Sequence, residues 1–196
     1  MNTPTNAPTN EPSGIHLIGN IPVDAHNTVH IDTSKPIPFS THAFGVACYD
    51  AYGCTVIYDN MSLLNIPDDT KTISSASLGD KYPNDTLGAS HIGIRNFPHF
   101  PPPAEVTWRS KDGQPHHALV DLEAIFKDKV ILHHVPQDQL PPLLQADIRP
   151  DIILEVNDRT INVYMRAMVD TTVLQKPGNK YSDFRDDLIL AYTKTY

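Results

Sequence analysis

Apolar and polar residues alternate in short runs along most of the chain, and turn-forming residues separate these runs. The clearest run covers residues 160–169, where every second position is apolar: Ile161, Val163, Met165, Ala167 and Val169. A period of two places these side chains on one face of a β-strand. Another apolar run, at 151–156, precedes the turn-prone tripeptide Asn157-Asp158-Arg159. The pattern therefore predicts a hairpin.

A second hairpin is predicted between residues 104 and 121. Alternation places three side chains on one face of its first strand: Ala104, Val106 and Trp108. Asp112-Gly113 is a typical turn, and Pro115 has no N–H to donate to a ladder. We therefore expect the return strand to begin after Pro115, and Trp108 to lie in the core.

Both cysteines lie in a third predicted hairpin, over residues 44–58. Two apolar runs flank a short turn that contains Asp50 and Gly53. Cys48 and Cys54 then face each other, and the Cα atoms of a non-hydrogen-bonded cross-strand pair lie about 4.5 Å apart, at the short end of disulfide geometry. A disulfide and two buried thiols both fit this arrangement. A disulfide favours an exported protein.

The remaining segments complete a mainly β pattern. They are a helix over 122–127 capped by Asp121, a strand over 130–135, a loop with one helical turn over 137–150, a polar loop over 175–187 and a final strand over 188–196. Prolines remove backbone donors from the first of these loops. Together the elements predict an antiparallel β-sandwich or open barrel of about seven to nine strands with one or two short helices.

The chain has 196 residues, enough for one domain with a sizeable core, since domains hold roughly 100 to 200 residues. We assign this β-rich domain to residues 15–196. Residues 1–14 contain Thr, Asn and Pro without apolar periodicity, so we expect a flexible tail or tether. Met1 is then either a natural cytoplasmic start or a replacement for an export signal.

Charge and hydropathy argue against two classes of partner. Fifteen Lys and Arg stand against 23 Asp and Glu, which gives a formal charge of −8. An acidic chain lacks the basic surface that binds phosphate backbones, so nucleic acid is not an expected partner. No run approaches the ~18 consecutive apolar residues that cross a bilayer, so we predict no membrane span.

Catalytic motifs are absent from the sequence. It has no G-x-S-x-G elbow, P-loop or G-x-G-x-x-G motif, and Ser74–Ser77 indicates a loop or an edge strand. Ten histidines raise the question of metal binding, but adjacent pairs point to opposite faces of a strand. A site from His117, His133 and Asp121 remains geometrically open. We predict no catalytic residue, metal or cofactor, and a protein that is not an enzyme.

Two predicted loops place acidic side chains beside Arg or an aromatic residue, a composition that suits contact with a basic protein. They are residues 181–187 and the Asn157-Asp158-Arg159 turn. The candidate partner-binding residues are Tyr181, Phe184, Arg185, Asp186, Asp158 and Arg159. Ordinary solvation of loop side chains is the competing interpretation.

Five stretches carry a resemblance to a known group of proteins. They are Ser74-Ser-Ala-Ser-Leu-Gly79, Ile94-Arg-Asn-Phe-Pro98, Val106-Thr-Trp-Arg-Ser-Lys-Asp-Gly113, Glu155-Val-Asn-Asp-Arg-Thr-Ile-Asn-Val-Tyr-Met165 and Tyr181-Ser-Asp-Phe-Arg-Asp-Asp-Leu-Ile-Leu190. Over residues 40–196 the chain resembles the small proteins encoded beside type VI secretion lipase effectors in Gram-negative bacteria. Those proteins are regarded as periplasmic immunity proteins.

The resemblance implies a non-catalytic inhibitor that binds and neutralises a secreted, lipase-like antibacterial effector. It also implies a periplasmic location. A lipid anchor would belong to a longer precursor, because residues 1–196 contain no lipobox cysteine. A cytoplasmic location is the alternative. Two other functions stay open: a carbohydrate-binding or cell-surface β module, which needs an exposed aromatic platform, and a His-based metal hydrolase, which needs bound zinc or iron.

Overall fold

The computed structural model describes residues 14–87 and 100–196, and within them the chain is mainly β. The strands are β1 (His16–Ile18), β2 (Ile21–Val23), β3 (Ile31–Asp32), β4 (Ala43–Tyr49), β5 (Ala51–Tyr58), β6 (Met61–Lys71), β7 (Ala104–Ser110), β8 (Pro115–Val120), β9 (Leu143–Leu144), β10 (Asp151–Asn157), β11 (Thr160–Arg166), β12 (Val169–Asp170), β13 (Phe184–Arg185) and β14 (Leu188–Thr195). The helical segments are α1 (Leu122–Ile125) and the 3₁₀ segments Ser75–Lys81 and Gln137–Gln139.

Two four-stranded sheets form the body of the fold. The first sheet has the strand order β14-β11-β10-β4, and the second has the order β6-β5-β7-β8. Their strand pairs are antiparallel except for β10 and β4, which are parallel. The other strands form short two-stranded pairs: β1 with β2, β3 with β9, and β12 with β13. The mainly β class is confirmed, and two separate sheets correspond to a sandwich. The described residues form 14 strands, more than the seven to nine predicted, because six of them are segments of only two or three residues, too short for an alternating pattern.

Both sheets contribute side chains to one apolar core. The first sheet supplies Phe44, Ile152, Leu154, Val163 and Met165, and the second supplies Val56, Tyr58, Val106, Trp108 and Ala118. The hairpin predicted around Asn157-Asp158-Arg159 is confirmed as β10 and β11. All five apolar residues of its alternating run are buried, and so is Trp108. The period of two therefore located the core face of both hairpins.

The predicted hairpin over residues 44–58 is wrong. β4 ends at Tyr49 and β5 begins at Ala51, so Asp50 alone connects them. Because the shortest common hairpin loop has about two residues, β4 and β5 cannot fold back on each other. Asp50 adopts a left-handed φ of 53°, and the chain passes here from the first sheet to the second.

The carboxylate of Asp50 stabilises this corner. Its Oδ2 accepts hydrogen bonds from the backbone N–H and the hydroxyl of Ser75, at 2.9 and 2.8 Å, and its Oδ1 lies 3.0 Å from Nζ of Lys111. Burial raises the pKa of Asp50, but hydrogen bonds from Ser74, Ser75 and Lys111 outweigh burial and lower the pKa to about 2. The side chain is therefore ionised at neutral pH.

A disulfide between Cys48 and Cys54 joins the two sheets across the same corner. Their Cα atoms are 6.7 Å apart, farther than in the cross-strand pair expected from the sequence, because the two cysteines belong to different sheets. The bond closes a short loop around Asp50. It therefore constrains the angle at which the chain leaves the first sheet.

The strand predicted over residues 130–135 is also wrong. Val130 forms an isolated bridge with Pro38, and the N–H of Ile131 donates to the carbonyl of Ile37 at 2.8 Å. The opposing segment contains Pro36 and Pro38. Because proline has no N–H, this segment cannot sustain a ladder.

Several shorter elements lie within one or two residues of their predicted positions. Asp121 caps α1 as expected, and its Oδ1 accepts from the N–H of Ala124 at 3.0 Å, although α1 ends at Ile125. The predicted helical turn in 137–150 is Gln137–Gln139. β8 includes Pro115 instead of starting after it, with Pro115 at the first position, where no ladder donor is needed. The tail predicted for residues 1–14, except Gly14, and the stretch Ile94–Pro98 lie outside the described residues.

We expect reduction of Cys48–Cys54 to lower the free energy of unfolding. Cross-linking a loop this short removes chain entropy worth about 2 kcal/mol from the unfolded state. Urea unfolding with and without reductant measures the change, and intact mass confirms the loss or gain of two hydrogens. The double variant Cys48→Ala/Cys54→Ala is the control, and it should not respond to reductant. Equal stability of the oxidised and reduced wild type would contradict the prediction.

His42 is a buried titratable side chain in the core, with 1% of its surface exposed. Its Nε2 lies 3.2 Å from the hydroxyl of Tyr58, and its ring stacks on Phe100 with centroids 4.6 Å apart. Burial, with a smaller contribution from the charge of Lys129, lowers the pKa of His42 from 6.5 to about 4. The imidazole is therefore neutral in the folded protein at neutral pH.

We expect stability to fall as the pH drops from about 6.5 toward 4, because the unfolded chain binds a proton at His42 that the folded chain excludes. The loss reaches about 3 kcal/mol from this residue. His133, whose pKa burial also lowers, adds to the loss, whereas Asp147 and Asp151, whose pKa values burial raises, oppose it. Urea unfolding across this pH range should show a weaker dependence for His42→Gln than for wild type. The exposed-residue variant His26→Gln should retain the wild-type dependence, and an unchanged slope in His42→Gln would refute the assignment.

Candidate functional site

One end of the first sheet gathers several chain segments. At this end β11 finishes at Arg166, which is the register partner of both Asp151 at the start of β10 and Leu188 at the start of β14. The loop that carries Tyr181 continues through the short strand β13 into β14, so the polar loop predicted over 175–187 is interrupted by a strand. Three strand ends and one predicted partner-binding loop are therefore close together.

Residues 75–87, which we call the strap, cover the outer face of the first sheet. Leu87 is buried against Tyr49, Ile153 and Tyr164, and the strap residues Leu78 and Tyr82 pack on the same cluster. The 3₁₀ segment within the strap replaces the loop or edge strand that we predicted for Ser74–Ser77. Because the core covers the other face, β10 is buried on both sides over its five central residues.

Glu155 lies under the strap and is fully buried. The hydroxyl of Tyr82 donates to its Oε1 at 2.6 Å, and Asn162 Nδ2 and the Tyr164 hydroxyl donate to its Oε2 at 2.9 and 3.2 Å. Burial and the hydrogen bond to Glu155 raise the pKa of Tyr82 to about 12, and burial with the charge of Glu155 also raises the pKa of Tyr164. Both tyrosines therefore remain protonated donors at neutral pH.

The far end of the strap forms one wall of a cleft at the sheet end. The guanidinium of Arg166 donates to the carbonyl of Asn84 and so connects the strap to β11. The space beside this contact has a volume of about 580 Å³, and we call it the polar cleft. The described residues that line it are Asn84, Asp85, His134, Arg166, Asp186, Asp187 and Leu188.

A second cleft of about 350 Å³, the tyrosine cleft, lies in the loop before β14. Four of the predicted partner-binding residues line it: Tyr181, Phe184, Arg185 and Asp186. Asp186 and Asp187 line both clefts. The structure therefore brings these four residues together beside the polar cleft.

The side chains of this loop differ in accessibility. Tyr181 is 71% exposed, with Nζ of Lys180 4.8 Å from its ring centroid. Phe184 and Arg185 are half-buried, and the guanidinium of Arg185 lies 2.8 Å from Oδ1 of Asp187. Of the two aromatic side chains in this loop, Tyr181 is thus the exposed one.

Asp158 and Arg159 lie at the opposite end of the first sheet, in the turn between β10 and β11. Asp158 Oδ1 accepts from the N–H of Lys111 at 2.8 Å, its carbonyl accepts from Trp108 Nε1 at 2.7 Å, and Arg159 pairs with Asp112. The seven residues of β11 separate this turn from the clefts by about 20 Å. The structure therefore does not combine the two predicted loops, and the Asp158–Arg159 turn contacts the second sheet.

Sequence reasoning missed one side of the polar cleft: Asn84, Asp85, His134 and Arg166. Arg166 follows the alternating run and Asp85 follows a cis Tyr82–Pro83 bond, but neither has a local signal that points to a shared cleft. They meet because the strap crosses the sheet.

The histidines that the structure describes show no metal-binding arrangement. His117 Nε2 lies 3.0 Å from Glu105 Oε1 within the second sheet. Among residues 14–87 and 100–196, no three His, Cys, Asp or Glu side chains are placed to hold a metal ion together. The set of His117, His133 and Asp121 is therefore not assembled.

Comparison of the chain with protein-family models, with curated proteins and with solved structures gives no match. In the described part of the chain, none of the helices has the length and apolar character required to span a membrane.

We expect Tyr82→Phe to destabilise the fold by about 1–3 kcal/mol, because it leaves an oxygen of buried Glu155 without its donor. Urea unfolding measures this loss, and amide hydrogen exchange should accelerate in the strap. Tyr181→Phe is the matched control, since it removes a hydroxyl from an exposed tyrosine. A loss no larger than that of the control would contradict the role assigned to Tyr82.

Proposed function

We propose that this protein is a non-catalytic binding protein, an immunity protein that binds and neutralises a secreted, lipase-like antibacterial effector. The observation that carries the proposal is Tyr181, an exposed aromatic side chain on an internally bonded loop that lines the tyrosine cleft. The resemblance of Tyr181–Leu190 to type VI immunity proteins supports the same residues. The proposed contact surface is the loop and its clefts.

The loop is ordered before any partner binds. The N–H of Thr171 donates to the carbonyl of Asp183 and the N–H of Gln175 to that of Ser182, both at 2.7 Å. The buried hydroxyl of Ser182 accepts from the N–H of Lys176 at 2.9 Å. Because these bonds fix the loop, presenting Tyr181 costs little additional conformational entropy on binding.

Tyrosine is suited to the role of an interface anchor. Its ring supplies a large contact area with few rotatable bonds, and aromatic residues are enriched at interface centres. The surrounding carboxylates and the net charge of −8 favour a basic partner and accelerate encounter with it. Affinity in this proposal comes from the anchor, and the rate of association comes from the charge.

The proposed location is the periplasm. A disulfide that joins the two sheets suits an oxidising compartment, whereas cytosolic thiols are kept reduced. A cytoplasmic protein would be expected to carry Cys48 and Cys54 as thiols. Analysis of the cysteine oxidation state in protein taken directly from its native cells, with thiols blocked on lysis, separates the two locations.

The test begins with capture of the partner by tagged protein, native mass of the complex and an assay of the partner's lipase activity. We expect a complex of fixed stoichiometry with suppressed activity. Tyr181→Ala should weaken binding by roughly 30-fold or more, because truncation of an interface anchor costs about 2 kcal/mol or more. Leu119→Ala is the matched control, because Leu119 is 64% exposed on the second sheet, and it should bind as wild type.

Two results would reject the proposal. One is failure of the purified protein to bind any effector encoded beside its gene when both are expressed. The other is a complex that leaves the effector's activity unchanged. Wild-type affinity in Tyr181→Ala would instead remove the loop as the contact surface, while the neutralising function would stand.

A further inference from the structure

The disulfide closes a loop, residues 48–54, to which the start of the strap is bonded. Asp50 Oδ2 accepts from the N–H and the hydroxyl of Ser75. The N–H of Ala51 donates to Thr72 Oγ1 at 2.9 Å, and the N–H of Thr72 donates to the carbonyl of Ala51 at 2.8 Å. Two consecutive residues of the loop therefore hold the chain where it enters the strap.

A third residue of the loop packs against the strap farther along. The ring of Tyr49 lies edge-on to the ring of Tyr82, with centroids 5.7 Å apart. Leu87, at the end of the strap, belongs to the same buried cluster as Tyr49. Residues 49–51 therefore form part of the support for the strap from its start to its end.

The disulfide opposes relaxation of this corner. Asp50 has a left-handed φ of 53°, which is unfavourable for an L-residue, so the chain gains free energy if the corner relaxes. In the described part of the chain, β4 is at the edge of the first sheet and pairs only with β10. One ladder thus holds the end of β4, and the bond from Cys48 to Cys54 is its second constraint.

We propose that the Cys48–Cys54 bond is a redox-sensitive tether of the strap. In the oxidised protein, the loop holds the strap on the first sheet and so fixes Asn84 and Asp85 as one wall of the polar cleft. In the reduced protein, the corner relaxes and the strap loosens, while the two sheets keep their common core. The wall of the cleft is then fixed in an oxidising compartment and loose in a reducing one.

The redox step is thiol–disulfide exchange with an external dithiol. Cys48 is partly exposed and Cys54 is 1% exposed, so a thiolate of the dithiol attacks Sγ of Cys48. The bond between the two cysteines breaks, and Cys54 leaves as a thiolate that takes up a proton. The second thiol of the reagent then displaces Cys48, which also takes up a proton. The reagent leaves as a disulfide, and two electrons have passed to the protein.

The test compares amide hydrogen exchange of the oxidised and the reduced full chain at several low urea concentrations. A cross-link that acts only on the unfolded chain changes exchange through global unfolding, which urea accelerates. Exchange through local opening exposes little surface and depends little on urea. The urea-independent part therefore reports on the folded protein alone.

Three amides of the strap are hydrogen-bonded and serve as reporters: those of Ser75, Asp85 and Leu87. We expect reduction to accelerate their urea-independent exchange about fivefold or more, because local opening then relieves the left-handed backbone of Asp50. The amides of β7 and β8, in the second sheet, should show no such change. Cys48→Ala/Cys54→Ala should exchange like the reduced protein and should not respond to reductant.

Three results would overturn the proposal. The first is equal urea-independent exchange of the strap in the two redox states. The second is an acceleration of the same size in β7 and β8. The third is unfolding of the reduced protein, because the bond would then be required for the whole fold and not for the strap.

A variant with the disulfide intact tests whether the loop holds the strap. Asp50→Asn keeps a residue type that tolerates the left-handed backbone but replaces the charged acceptor of the Ser75 bonds with a weaker one, so it should accelerate strap exchange in the oxidised protein. Asp32→Asn is the matched control, because Asp32 Oδ1 accepts from the N–H and the hydroxyl of Ser34 at 2.9 and 2.6 Å, away from the strap. Equal strap exchange in oxidised Asp50→Asn and wild type would overturn the proposal. The test involves no partner protein, so its result is independent of the proposed function.

Discussion

Asp50 imposes the constraint on which the rest of the structure depends, because this one residue takes the chain from the first sheet to the second. Its left-handed backbone directs β4 and β5 into different sheets, and its carboxylate binds Ser75 at the start of the strap. The strap then crosses the first sheet and supplies Asn84 and Asp85 to the polar cleft. The corner and the cleft, at different places on the sheet, are thus connected by one continuous segment.

Glu155 explains why the strap has one position on the sheet. A buried carboxyl group is costly unless hydrogen bonds satisfy it, and here the donors come from both the strap and β11. An apolar residue at this position would avoid the cost of desolvation. Apolar contacts are not directional, however, so they would allow an apolar strap to lie at several positions on the sheet. The hydrogen bond from the Tyr82 hydroxyl to Glu155 Oε1, at 2.6 Å, depends on distance and direction in a way that an apolar contact does not. The polar contact therefore contributes specificity of placement more than net stability.

The sequence alone predicts those elements whose signal is local. Period-two alternation is sufficient to predict the β10–β11 hairpin, and the capping residue Asp121 is sufficient to predict where α1 begins. Local patterns do not predict pairing between segments that are distant in sequence. β4 has the composition of a hairpin strand, yet it pairs in parallel with β10. The apolar run at 130–135 faces a segment with two prolines, which prevents a ladder. For the candidate site, the loop at 181–187 was predictable as one group. The opposite wall of the polar cleft was not, because the strap brings it there.

The two acidic loops, residues 157–159 and 181–187, have similar compositions, but the carboxylates at the two ends of the first sheet differ in their bonding partners. Asp112 and Asp158 have polar partners in this chain, Arg159 and the N–H of Lys111, so their turns connect the sheets. Asp85 and Asp186 have no cationic partner in the described residues. A net charge of −8 says only that carboxylates are in excess. Internal pairing determines which carboxylates remain available, and Asp85 and Asp186 at the polar cleft, near the exposed ring of Tyr181, are among them.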